Sequence, residues 1–120
     1  LHQPLHVGDR NDKGGNRTQV VYFQTPANLH SVWDTEILQR MEEEAALASG
    51  LCRIVRSGWE RGTTADWAAE SHAVAREAAY RHLSRKVGAH YQQQAETAVR
   101  VQLAKAGVRL AAMLNRVWEQ

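Results

Sequence analysis
His6, His30 and Asp34 are the residues of this chain whose types and spacing best suit chemistry. The last two stand in the run Asn28-Leu29-His30-Ser31-Val32-Trp33-Asp34. If Asn28 caps a helix there, His30 and Asp34 fall at i and i+4 and stack on one helix face. An imidazole and a carboxylate can then reach one ion together. His6, in the loop upstream, can supply a third ligand. Two nitrogens and one carboxylate oxygen leave one coordination position open. That is the form of a catalytic zinc site, whereas a structural site is closed by four protein ligands. A His-x-x-x-Asp pair alone carries little, because such pairs are common on helix surfaces. The third histidine and the wider string carry more.

The elements that must position these residues follow in chain order. Residues 1–26 read mainly as loop. Pro4 discourages a helix through Gln3, and Gly8, Asp9, Asn11, Asp12, Gly14, Gly15 and Asn16 form a dense turn signal. Thr18 to Phe23, TQVVYF, is β-branched and aromatic and predicts a short strand or hairpin. A first helix is expected over about 29–48, with Leu29, Trp33, Ile37, Met41 and Ala45 as its apolar stripe and Ser49-Gly50 as its end. Glu42, Glu43 and Glu44 read as a solvated face. A connector follows over 51–62, where Arg53, Arg56 and Arg61 add exposed positive charge. A second helix starts at Thr63 or Thr64, both good caps, with Asp66 near its positive end. Trp67, Ser71, Val74, Ala75, Ala78 and His82 trace its packed face, with Trp67 as a core anchor. His72 and His82 read as structural or exposed. The longest helix runs from about Ala89 to Trp118 and keeps the 3.6-residue period across many turns. Gly107 within it offers a close helix contact.

Composition sets the outer bounds. The chain has 120 residues, 43% hydrophobic and 23% charged, which suits one ordinary globular unit with a modest core. Its net charge of +2 gives no strong field for a polyanion. No apolar run approaches the length of a membrane span, and no signal peptide is visible. The single cysteine, Cys52, excludes an internal disulfide and is expected to be a buried, inert thiol.

Taken together, His2-Gln3-Pro4-Leu5-His6, Asp12-Lys13-Gly14-Gly15-Asn16 and Asn28-Leu29-His30-x-x-Trp33-Asp34 resemble the zinc-dependent single-strand nucleases of fungi, plants and bacteria. These S1/P1 nucleases are also called bifunctional nucleases for their 3′-nucleotidase activity and belong with phospholipase C in one superfamily. Trp67-Ala68-x-Glu70-Ser71 and Ala106-Gly107-Val108-Arg109-Leu110-Ala111-x-x-Leu114-Asn115 fit as well, so the likeness covers nearly the whole chain.

The resemblance implies a mainly α, helical phospholipase C/nuclease-like fold. It implies a metal-dependent endonuclease that hydrolyses single-stranded DNA and RNA to 5′-phosphorylated products. It implies three zinc ions in the full family enzyme, of which His6, His30 and Asp34 would hold one. Asn16 would contact the nucleotide, and His2 would take a hydrogen-bonding role rather than ligate. The chain lacks an initial Met and starts inside a motif, so residues 1–120 are expected to be the C-terminal part of a longer nuclease domain. The missing half would be needed for the full metal cluster, and activity of the chain alone is in question. A secreted or periplasmic location follows from the family. Two alternatives stay open: a zinc phospholipase C, and a non-catalytic helical interaction domain whose histidines are incidental.

Overall fold
The computed structural model describes residues 1–119 as a mainly helical chain with one small sheet. A short helical turn at Pro4–His6 follows the first residues, and Gln3 caps it by accepting from the Leu5 amide. Strand β1 is Gln19–Tyr22 and β2 is Thr25–Asn28, paired antiparallel from Gln19↔Asn28 to Tyr22↔Thr25. The predicted hairpin is therefore present. Its two-residue turn, Phe23-Gln24, has positive φ at both positions, the twist that hairpin strands require. A third strand, β3 at Lys86–Val87, adds parallel to β1 and gives the order β2-β1-β3. Two residues are too short to announce themselves in a sequence.

Helix α1 covers 29–39. It opens on Leu29–Ser31, widens to a π-helical turn at Val32–Glu36 and closes on Ile37–Gln39. Asn28 caps it as expected, its Oδ1 accepting from the Ser31 amide at 2.8 Å. Leu29, Val32, Trp33 and Ile37 are buried against the sheet and the later helices.

The expectation of one helix over 29–48 fails at Arg40. There the last turn tightens, with Arg40 N on Ile37 O and Met41 N on Leu38 O. The Arg40 guanidinium stacks 3.6 Å from the Phe23 ring centre. Glu42 then makes a two-point ion pair with Arg100, 2.6 Å at each contact, which ties the chain to the last helix and holds the carboxyl down to about 2. Glu42 is thus not merely solvated. A separate helix, α2, runs Glu44–Ile54, so Ser49-Gly50 lie inside it and the connector begins later than expected. Gly50 has nothing close by, and the exposed helix tolerates its cost of about 1 kcal/mol. Cys52 lies on the open face of α2 and is exposed, contrary to the buried thiol expected.

Helix α3 covers 64–80, formed by Thr64–Val74 and a π-helical continuation at Ala75–Tyr80. Its capping box is complete: Thr63 Oγ1 accepts from the Asp66 amide, and the Asp66 carboxylate accepts from Thr63 N. Trp67, Ser71, Ala75, Ala79 and Tyr80 are its buried residues, whereas His72 and His82 are exposed. Helix α4 runs Ala89–Trp118, the predicted span. Tyr91, Ala95 and Val99 enter the core. Trp33 Nε1 donates to Tyr91 Oη at 2.9 Å, and Tyr91 Oη donates to Ala79 O at 2.8 Å, which pins α1, α3 and α4 to one another. A Cβ added at Gly107 would meet nothing within 4 Å, so this glycine serves no close helix contact. No helix among the described residues is long and apolar enough to cross a membrane.

Candidate metal centre
The loop over 8–16 is built to approach α1 closely. Gly8 lies against Ala75, where a Cβ would come 2.3 Å from the Ala75 Cβ. Gly14 has φ +60°, and a Cβ there would lie 2.4 Å from the Leu5 carbonyl. Asp9 and Asp12 staple the turn from inside. Asp9 Oδ1 accepts from the amides of Asp12 and Gly14, and Asp12 Oδ1 accepts from Gly15 N and Tyr80 Oη. Burial pushes the Asp12 carboxyl up, but donors from Thr18, Gly15, Tyr80 and Arg10 outweigh it and hold it well below the usual range. In the sequence Asp12 reads as part of the turn signal and of the glycine motif, and the structure adds that it holds the loop from inside. Its signal was its place two residues before the Gly-Gly turn.

This loop delivers the Gly14 carbonyl to His30. His30 Nδ1 lies 2.7 Å from that oxygen. A carbonyl only accepts, so Nδ1 carries the proton and Nε2 is left with its lone pair when the ring is neutral. That lone pair faces Asp34 Oδ2 at 3.2 Å. His6 Nε2 faces the other carboxylate oxygen, Oδ1, at 3.4 Å. The two imidazoles stack, centres 5.3 Å apart and planes within 13°. Ligand atoms of all three residues lie within 4.8 Å of one another. A neutral imidazole nitrogen set against a carboxylate oxygen places two acceptors together, an arrangement that a cation between them relieves. The set therefore fits a metal, and a histidine held by a carbonyl at its other nitrogen is the usual partner of one.

Gln3 completes the surroundings. Its Nε2 donates to Asp34 Oδ1 at 2.6 Å while its Oε1 caps the Pro4–His6 turn, so one side chain sets both His6 and Asp34. An open depression of roughly 700 Å³ lies on the His6 and His30 side, with Lys13 and Asp9 at its rim. A smaller, more apolar cavity of about 310 Å³ lies on the His6 and Asp34 side, walled by Trp33, Leu38, Val99 and Leu103. Asn16 is exposed in the same loop, its Nδ2 donating to Lys13 O at 2.9 Å.

His2 lines the smaller cavity with His6 and Asp34 but stands outside the His6, His30 and Asp34 set. Its Nε2 accepts from Arg109 Nη1 at 2.9 Å, and burial and the Arg109 charge lower its pKa. Arg109 is itself buried, paired with Glu70 at 2.7 Å and donating through Nε to Trp59 O at 2.9 Å. Lys105 also pairs with Glu70. Gln102 Nε2 donates to His2 O and Ser71 Oγ. The two late motifs singled out in the sequence, around Trp67–Ser71 and around Arg109, are thus halves of one polar knot that anchors the first residues of the chain.

A mainly helical fold with a His/His/Asp group at the junction of a glycine loop and a capped helix is an α protein with the donor set of a metal centre. The S1/P1 nuclease family model matches residues 1–119, and the chain belongs to that family. Among characterised relatives, it is 35% identical to Endonuclease 3 of Arabidopsis thaliana over 98% of this chain and 47% of that protein. It is 30% identical to Endonuclease 2 of the same plant, over 98% and 48% respectively. It is 29% identical to Nuclease S1 of Aspergillus oryzae, over 100% and 51%. The chain therefore spans about half the length of these relatives. The match sides with the nuclease resemblance over the phospholipase C alternative.

Proposed function
We propose that His6, His30 and Asp34 hold one zinc ion that serves hydrolysis of phosphodiesters in single-stranded DNA and RNA. The observation that carries this reading is the convergence of the three ligand atoms within 4.8 Å of one another. The names of the relatives, endonucleases and a nuclease, support the reaction class. Zinc bound there supplies Lewis acidity towards a phosphoryl oxygen and brings the ionisation of water towards pH ~7. The chain's own residues prepare the site. Gly14 O fixes the His30 tautomer, and Gln3 holds Asp34, so little reorganisation remains when a cation arrives. The depression beside His6 and His30 is open enough to admit a polynucleotide strand from solvent. Asn16 is the substrate contact we assign, its amide exchanging Lys13 O for a nucleotide acceptor.

In this reading residues 1–120 are the C-terminal part of the nuclease domain, and the remaining zinc ions of a three-metal cluster draw on ligands outside the chain. Products carry 5′-phosphates, release of phosphate from 3′-nucleotides is a second activity, and the enzyme works in a secreted or periplasmic setting. The test is bound zinc per chain after exhaustive dialysis. We expect about one zinc, as folded metal sites of this ligand set retain, and none in His30→Ala. A folded wild-type chain, verified by circular dichroism, that retains no zinc sinks the assignment.

A further inference from the structure
We infer that a second depression beside the glycine loop, lined by Arg10, Arg76 and Arg81, anchors phosphates of the same single strand whose scissile bond lies at His6 and His30. The inference rests on the function proposed above for the identity of the strand and names further residues that hold it. His72, Arg76 and Tyr80 stand four apart and so share one face of α3. Gly8 lets the loop close on that helix, since a Cβ there would come 2.3 Å from the Ala75 Cβ. The close approach delivers Arg10 to the same face. Its guanidinium lies 5.2 Å from the centre of the Tyr80 ring, and the Tyr80 hydroxyl is fixed on Asp12. His72 is held at the edge by its Nδ1, 2.9 Å from Val7 O. With Arg76 and Arg81 these residues bound a depression of about 480 Å³.

The net charge of +2 hides the local balance. Arg61, Arg100, Lys105 and Arg109 each pair with a carboxylate, and Arg81 pairs with Glu77 at 2.5 Å. Among the described residues, Arg10, Lys13 and Arg76 are exposed and form no ion pair. Asp9 stands between them, but its Oδ1 accepts from the amides of Asp12 and Gly14 and is committed to the loop. Asp9 also joins two depressions, because it lines both this one and the open one beside His6 and His30, where Lys13 stands. Lys13, Arg10 and Arg76 thus lead away from the metal centre as a series of unpaired cations. A guanidinium fork matches a phosphate, and a series of such groups tracks a backbone of repeated phosphates. A single free phosphate would need only one of them.

The experiment titrates a fluorescent oligothymidylate with the metal-free chain, kept in a chelator, and reads anisotropy across a salt series. Affinity for a single strand falls with salt at a log–log slope of about 0.7 for each phosphate neutralised. Arg10→Ala and Arg76→Ala should each lower that slope by roughly 0.7, and the double variant should weaken binding about tenfold at low salt. Both side chains are exposed and outside any ion pair, so both variants fold, which circular dichroism checks. Arg53→Ala and Arg56→Ala, exposed on and just after α2, should leave the slope unchanged. Inorganic phosphate, at matched phosphate concentration, should compete poorly. The inference is overturned if the folded chain does not bind the oligomer, or if the Arg53 and Arg56 variants lose as much as the Arg10 and Arg76 variants. It is also overturned if inorganic phosphate competes as well as the strand, because the depression would then hold a free anion. Zinc retention is measured in parallel on the same variants. A chain that binds the strand through Arg10 and Arg76 but holds no zinc removes the metal assignment alone. A chain that holds zinc, with a slope indifferent to both arginines, removes this inference alone.

Discussion

His2 and His6 stand in one five-residue run and put the same ring atom to different uses. The His2 Nε2 lone pair is consumed by Arg109. The His6 Nε2 faces a carboxylate oxygen across a gap of 3.4 Å. Around His2 the charged side chains pair with one another: Glu70 takes Lys105 and Arg109, and Arg109 also reaches Trp59 O. Around His6, Gln3 holds Asp34 and Gly14 O takes His30 Nδ1, which leaves Nε2 of each ring facing the carboxylate. One corner is a polar knot that fixes structure. The other is a prepared set of lone pairs. The difference teaches that ligand capacity lies in what the surroundings leave unsatisfied, and residue type alone does not reveal it.

Arg109→Ala should have the largest effect. It strips the half-buried Glu70 of one of its two partners and leaves His2 without its donor. We expect a loss of about 1.5–3 kcal/mol, the range for losing hydrogen bonds to a charged group, read by urea unfolding. A loss below about 1 kcal/mol, the range of surface pairs, would mean that the knot is not structural. Gly14→Ala comes next. Strain at a positive φ and the clash with Leu5 O should cost about 1–3 kcal/mol. It should also weaken zinc binding in calorimetry, because the carbonyl that orients His30 shifts.

The paired substitutions His6→Gln and His2→Gln sharpen the contrast most directly. His6→Gln should leave the metal-free chain within about 0.5 kcal/mol of wild type, as surface changes do, yet abolish zinc retention. His2→Gln should retain zinc and lose stability instead. Equal effects on zinc from both would mean that the two histidines do not differ in ligand capacity. The smallest effect is in pH. The folded His2 pKa is lowered from 6.5, so below that value the unfolded chain binds more protons than the folded one. The stability linked to His2 is whole above pH 6.5 and declines as pH falls through it. Thermal melts of the metal-free chain between pH 7 and 5 should show a shallower decline in His2→Gln than in wild type.

Local signals were legible where the chain dictates its own hydrogen bonds. Asn28 before Leu29, Thr63 with Asp66, and the period of α4 each named an element correctly, because caps and helical spacing are satisfied within a few residues. The three candidate ligand residues were legible as types, at i and i+4 plus a loop histidine, and the structure brings them together. The break at Arg40 was not legible, since it depends on Phe23 and Arg100, distant in sequence. The burial of Cys52 was misjudged for a related reason: α2 turns that face to solvent, and residue type says nothing of which side a helix presents.

Sequence by itself determined the helical class, the caps, the glycine turn and the family, since each rests on short-range backbone chemistry or on motif identity. Tertiary structure alone decided which histidine keeps a free lone pair. The partners that make the choice, Arg109 for His2 and Gly14 O with Asp34 for the metal corner, come from separate stretches of chain. They meet only when packing of α1, α3 and α4 brings those stretches together.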